Sequence, residues 1–103
     1  MNSTVYLFRD ACEHCRSWRD HMEAAGFNGP RLKQLGLDDL LEGVIPAAEL
    51  DAMGLVRMST ERQMMGQPEF RCPVVIIKHS DGHCLLIAEG TPAPTAHFVG
   101  SRA

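Results

Sequence analysis

The sequence predicts an α/β fold, and three stretches carry that reading. "TVYLF" near the N-terminus is short, β-branched and aromatic, as a buried first strand would be. After it, Cys15, Trp18, Met22 and Ala25 recur at three- and four-residue spacing, the period of an amphipathic helix. Near the C-terminus, "CPVVIIKHSDGHCLLIA" holds two strand-like runs on either side of Asp81-Gly82, a two-residue hairpin turn signal.

Residues 4–8 form the expected first strand. Asp10 followed three residues later by Glu13 has the pattern of a capping box, so a helix is expected to start at Asp10. Glu13, Arg16, Arg19, Asp20 and Glu23 supply its wet side, and Gly26 fits just past its end. The cysteine pair of "DACEHCRSW" thereby falls in the first helical turn.

The middle reads as mainly helical. "LGLDDLLEG" suggests a short helix from Asp38, with Asp38-Asp39 as first-turn acids rather than an acid–base dyad. "PAAELDAMG" has Pro46 at a first helical position and Gly54 as its stop. "STERQMMG" has Thr60 as a cap, Gln63 three residues on and Gly66 as terminator. No convincing second strand stands out; 31–35 and 55–58 are the candidates. In the hairpin, a two-residue turn sets Ser80 opposite His83, His79 opposite Cys84 and Ile77 opposite Leu86. Both runs are apolar on both faces, which predicts a hairpin inside a covered sheet. The tail "TPAPTAHFVGSRA" has room for one short helical turn at most.

The chain of 103 residues, 45% hydrophobic and 22% charged, has the length and composition of one globular domain over residues 1–103. A net charge of −3 with no basic block argues against nucleic acid as a partner. The longest apolar runs, 74–77 and 85–88, are far too short to span a bilayer, so no membrane association is expected. Arg9 and Asp10 interrupt the N-terminal region before any signal-like apolar stretch, which favours the cytoplasm. In that reducing compartment, four cysteines read as free, catalytic or metal-bound rather than as permanent staples.

Disulfide exchange is carried out by a thiolate. Cys12, in a first helical turn, would lie at the positive end of the backbone dipole beside unpaired N–H groups. Such positions bring a thiol from a pKa of roughly 8.5 into the range of about 3.5–7.5. His14 can add a positive charge and Arg16 lies one turn on, while Glu13 opposes them as a like charge. Cys15, on the apolar stripe, would be the more buried sulfur and would resolve the mixed disulfide.

Strand, Cys-x-x-Cys at a helix start, then a Pro leading a buried hairpin resembles the thioredoxin-like superfamily. The short N-terminus is closest to a divergent glutaredoxin-like protein. The resemblance covers roughly residues 4–26 and 70–90. It implies a mixed sheet with flanking helices, a helical insertion in the middle and a shortened C-terminal helix. It also implies that Pro73 is a cis-proline set against the cysteine pair, with Cys72 offering its backbone to substrate. The motif "CEHC" shares its internal His with the "CPHC" of periplasmic dithiol oxidases, which implies a more oxidising pair than a thioredoxin's. "EGTPAP" stands where a glutathione clamp would be, so glutathione is a doubtful partner and a protein disulfide or dithiol the favoured one.

The expectation is a thiol–disulfide oxidoreductase, acting on a protein or small-molecule disulfide with no cofactor. Cys12 is its nucleophile and Cys15 its resolving thiol, with His14, Cys72 and Pro73 shaping the site. Two alternatives remain. Cys12, Cys15 and Cys72 form a soft ligand set for zinc, copper(I) or an iron–sulfur cluster in a metal-binding or delivery module. Alternatively the chain is a redox-inactive scaffold that binds another protein. Cys72 also admits a three-thiol relay. Cys84 reads as core, His79 and His83 as solvated hairpin residues away from Cys12, and Met53, Met58, Met64 and Met65 as core filler. Trp18 reads as a packed helix anchor that can border a substrate groove.

Overall fold

The computed structural model describes residues 3–9 and 13–94. Asp10 as a cap, the placement of Cys12, and a helical turn beyond residue 94 lie outside the described residues. Strand β1 (Ser3–Arg9) is followed by helix α1 (Glu13–Ala24), strand β2 (Leu32–Gly36), helices α2 (Ala47–Ala52) and α3 (Leu55–Met64), and strands β3 (Val74–His79) and β4 (Cys84–Glu89). Short 3₁₀ turns at Gly29–Arg31 and Leu37–Leu41 bracket β2. The fold is mixed α/β, with a four-stranded sheet of order β2-β1-β3-β4. β1 and β2 are parallel, and β1–β3 and β3–β4 are antiparallel.

The two-residue period of β1 sends its side chains to opposite faces. Val5 and Leu7 pack with Trp18, Met22, Leu32 and Val75 under α1. Phe8 joins Leu40, Ile45, Leu50, Leu55, Phe70, Val74 and Ile76 on the other face. The helical middle therefore covers the second face of the sheet, and Leu40, Ile45, Leu50 and Leu55 are its anchors. Burying each such side chain contributes about 1.5–3 kcal/mol.

Several elements differ from the sequence expectations. The segment 32–36, overlapping one of the two strand candidates, is a true strand. Its side chains are largely exposed, because as an edge strand it takes its stability from the ladder with β1 and so lacks a strong apolar signature. The other candidate, 55–58, is helical: α3 runs from Leu55, and Thr60 lies inside it, its hydroxyl donating to the Val56 carbonyl at 3.0 Å instead of capping. Ala25 is exposed and lies beyond α1, so the buried stripe is Cys15, Trp18 and Met22. Met53 and Met58 pack on the core as expected, whereas Met64 and Met65, at the end of α3, are exposed.

The hairpin register is one residue away from expectation near its turn, with Lys78 opposite Cys84, Ile77 opposite Leu85 and Ile76 opposite Leu86. The cause is a three-residue loop. His79 N–H donates to the His83 carbonyl at 2.8 Å and Gly82 N–H to the His79 carbonyl at 2.9 Å, with Gly82 at φ +96°. A bulge beyond Ile76 then takes up the extra residue, so that Val75 meets Ala88. β4 is an edge strand with Leu85 exposed, but Leu86 packs on one core cluster and Ile87 and Ala88 on the other, so the covering expected of the hairpin extends to most of β4.

Candidate functional site

The site is assembled at one end of the sheet. β1 leaves that end at Arg9, α1 begins there at Glu13, and β3 enters there, with Val74 opposite Phe8. The helical period that buries Trp18 and Met22 against β1 also turns Cys15 inward from the first turn of α1, leaving it only 5% exposed. Cys72 lies half-buried just before β3, followed by a fully buried Pro73, and the Cys72–Pro73 peptide bond is cis. Cys15 Sγ and Cys72 Sγ meet at 3.1 Å, although 57 positions separate the two residues in sequence. That spacing is a hydrogen-bonding contact, well beyond the roughly 2.05 Å of a covalent S–S bond. Cys72 is itself disulfide-bonded.

Of the expected site residues, the structure thus brings together Cys15, Cys72 and Pro73. His14 is half-exposed in the first turn of α1, where its carbonyl accepts the Ser17 hydroxyl at 2.8 Å. Arg16 is exposed. Cys12 is the sequence neighbour of Glu13, the first residue of α1, and lies outside the described residues. Among the described residues, no group of three or more His, Cys, Asp and Glu could hold a metal ion.

A second group, which the sequence did not flag, fixes the loop carrying Cys72. Glu89, at the end of β4, accepts the Arg71 backbone N–H at 2.9 Å and pairs bidentately with the Arg62 guanidinium of α3. Both partners are largely buried, with side chains 16% and 8% exposed for Arg62 and Glu89. Hydrogen bonding to Glu89 raises the Arg62 pKa further above its ordinary value, against the opposing effect of burial. Gly90 N–H donates to the Pro73 carbonyl at 2.8 Å, and Gly90 sits at φ +73° directly against Arg71. Two bonds from the end of β4 thus hold residues 71 and 73 on either side of Cys72. No local pattern could have exposed this group, because Arg62 and Glu89 meet only through the fold.

Trp18 is the buried anchor expected of it, and its indole N–H donates to the Thr91 carbonyl at 2.7 Å, tying the segment after β4 onto α1. Nearby in the topology, an open cleft of about 330 Å³ is lined by Leu37, Asp38, Pro68, Glu69 and Phe70, where β2 exits and the chain returns to β3. Asp39 is a first-turn acid as expected, accepting the Gly36 N–H at 3.1 Å.

The opposite end of the sheet holds the remaining chemistry-bearing residues. His79 Nδ1 lies 3.0 Å from the Ser3 hydroxyl, and His83 pairs with Asp81. Cys84 is a half-buried free thiol packed against the core, and burial, followed by the charge of Glu49, pushes its pKa up. His79, His83 and Cys84 therefore stand apart from Cys15 and Cys72 by the length of β3. No described helix is long and apolar enough to cross a membrane.

No family model matches the chain, and no curated protein or solved structure matches it either.

Proposed function

We propose that the protein is a thioredoxin-like thiol–disulfide oxidoreductase that acts on a protein or small-molecule disulfide through Cys12 and Cys15. The observation that carries the reading is the 3.1 Å meeting of Cys15 Sγ, in the first turn of α1, with Cys72 Sγ, directly before Pro73. The sheet order β2-β1-β3-β4, with the cysteine-bearing helix leaving β1, is compatible with a thioredoxin-like fold.

In this reading the Cys12 thiolate attacks one sulfur of the substrate disulfide. A mixed disulfide forms, and the second substrate sulfur leaves as a thiolate. Cys15 then attacks Cys12, releasing the reduced substrate and leaving Cys12 and Cys15 joined. Burial of Cys15 supports a resolving role, since a sulfur 5% exposed meets an intramolecular partner sooner than a bulky substrate. Arg16 supplies positive charge at the helix start. Reduction of insulin, or of a peptide mixed disulfide, tests the proposal with Cys12→Ser as control. Catalysed turnover is expected in the wild type and lost in the variant; a wild type that cycles no disulfide overturns the reading.

A further inference from the structure

We propose that Cys72 is a third exchanging sulfur of the site, so that the disulfide of the oxidised protein moves among Cys12, Cys15 and Cys72 instead of staying within the Cys-x-x-Cys pair. The proposal rests on the oxidoreductase reading and extends it.

Three observations support it. Cys15 Sγ lies 3.1 Å from Cys72 Sγ, close enough to attack with little movement of either backbone. Cys72 is disulfide-bonded, so the sulfur that Cys15 faces is an electrophile as well as a neighbour. The loop carrying it is held on both flanks, by Glu89 at the Arg71 N–H and by Gly90 at the Pro73 carbonyl, so the contact is built into the fold. Cys84, by contrast, is a thiol at the other end of β3 with its pKa pushed up, unsuited to join the exchange.

The step is an isomerisation with no net oxidation. Cys15 loses its proton to solvent, and its thiolate attacks Cys72 Sγ. A Cys15–Cys72 bond forms as the bond from Cys72 to its former partner breaks, and the electron pair departs with that partner as a thiolate. The reverse step is equally available. With the disulfide held between Cys15 and Cys72, Cys12 is again a thiolate, and the oxidised protein keeps a nucleophile for a second substrate sulfur. Such a site can reshuffle disulfides as well as reduce them.

The sequence makes the test direct. Trypsin and a glutamyl endopeptidase together place Cys12 on fragment 10–13, Cys15 on fragment 14–16 and Cys72 on fragment 72–78. The full chain is equilibrated in dithiothreitol redox buffers, quenched in acid, capped with N-ethylmaleimide, digested at mildly acidic pH and mapped by mass spectrometry. The expected result is fragment 72–78 joined to fragment 14–16 in a substantial share of molecules. In Cys12→Ser, the same linkage should become the dominant one. Fragments 10–13 and 14–16 joined to each other, with Cys72 always capped and insulin still reduced, would overturn the proposal and leave the oxidoreductase reading standing. A Cys72 joined only to fragment 10–13, with Cys15 always capped, would overturn it too. Three capped sulfurs under every buffer, together with no insulin reduction, would remove both.

Discussion

The two ends of β3 carry cysteines in opposite circumstances. At the entering end, Cys15 and Cys72 sulfurs meet at 3.1 Å, between the start of a helix and a loop pinned by β4. At the leaving end, Cys84 lies on an edge strand, its N–H donating to the Glu49 carboxylate at 2.8 Å, its thiol facing the Gly82 carbonyl and its pKa pushed up by burial and the Glu49 charge. Burial is common to both ends. What differs is the company: a second sulfur and a helix N-terminus on one side, a carboxylate on the other. Reactivity in a cysteine is therefore set by what its fold places beside it as well as by how deeply it lies.

That contrast can be broken in several ways. Cys12→Ser should lower disulfide turnover by on the order of 10³-fold or more. Cys84→Ser should leave turnover within about twofold of wild type in the same insulin assay, because mutations remote from a site seldom perturb it. Arg62→Met should cost about 2–3 kcal/mol in urea unfolding, since it strands the buried Glu89 carboxylate. It should also slacken the loop at Cys72, read as faster capping of Cys72 in the reduced protein. Gly90→Ala should cost about 1–2 kcal/mol, because its native φ is +73° and a Cβ there would stand 2.5 Å from that of Arg71. At the far end, His79→Ala should cost only about 0.5–1.5 kcal/mol, the loss of its hydrogen bond to Ser3.

The smallest effect is a pH dependence. Because the folded Cys84 pKa is raised above the ordinary value of 9.0, its contribution to stability is whole below that value. It is lost as pH rises from there through the folded pKa. Cys84→Ala should flatten that part of the alkaline limb in a denaturation series taken against pH, and an unchanged limb would count against the burial account.

What could be read from the sequence follows from range of interaction. β1, α1 and the hairpin runs were legible because local periodicity and a turn dipeptide specify them. Helix ends at Gly26 and Gly66, both at positive φ, were legible for the same reason. β2 was only a candidate because an edge strand with exposed side chains carries no strong apolar alternation. The hairpin register was missed by one residue because a three-residue loop and a compensating bulge leave the same dipeptide signature as a two-residue turn. At the site, Cys15, Cys72 and Pro73 stood out by residue type and by the family resemblance. The meeting of Cys15 and Cys72, and the Arg62–Glu89 support behind it, depend on strand order and could come only from the fold.

The most direct measurement is the rate of iodoacetamide alkylation of each cysteine of the reduced protein, resolved by mass spectrometry, from pH 5 to 10. The account expects Cys12 to react fastest at neutral pH, through a thiolate formed at the helix start, and Cys84 to react only toward the alkaline end. Comparable rates for the two across the series, or a faster Cys84 at neutral pH, would contradict it.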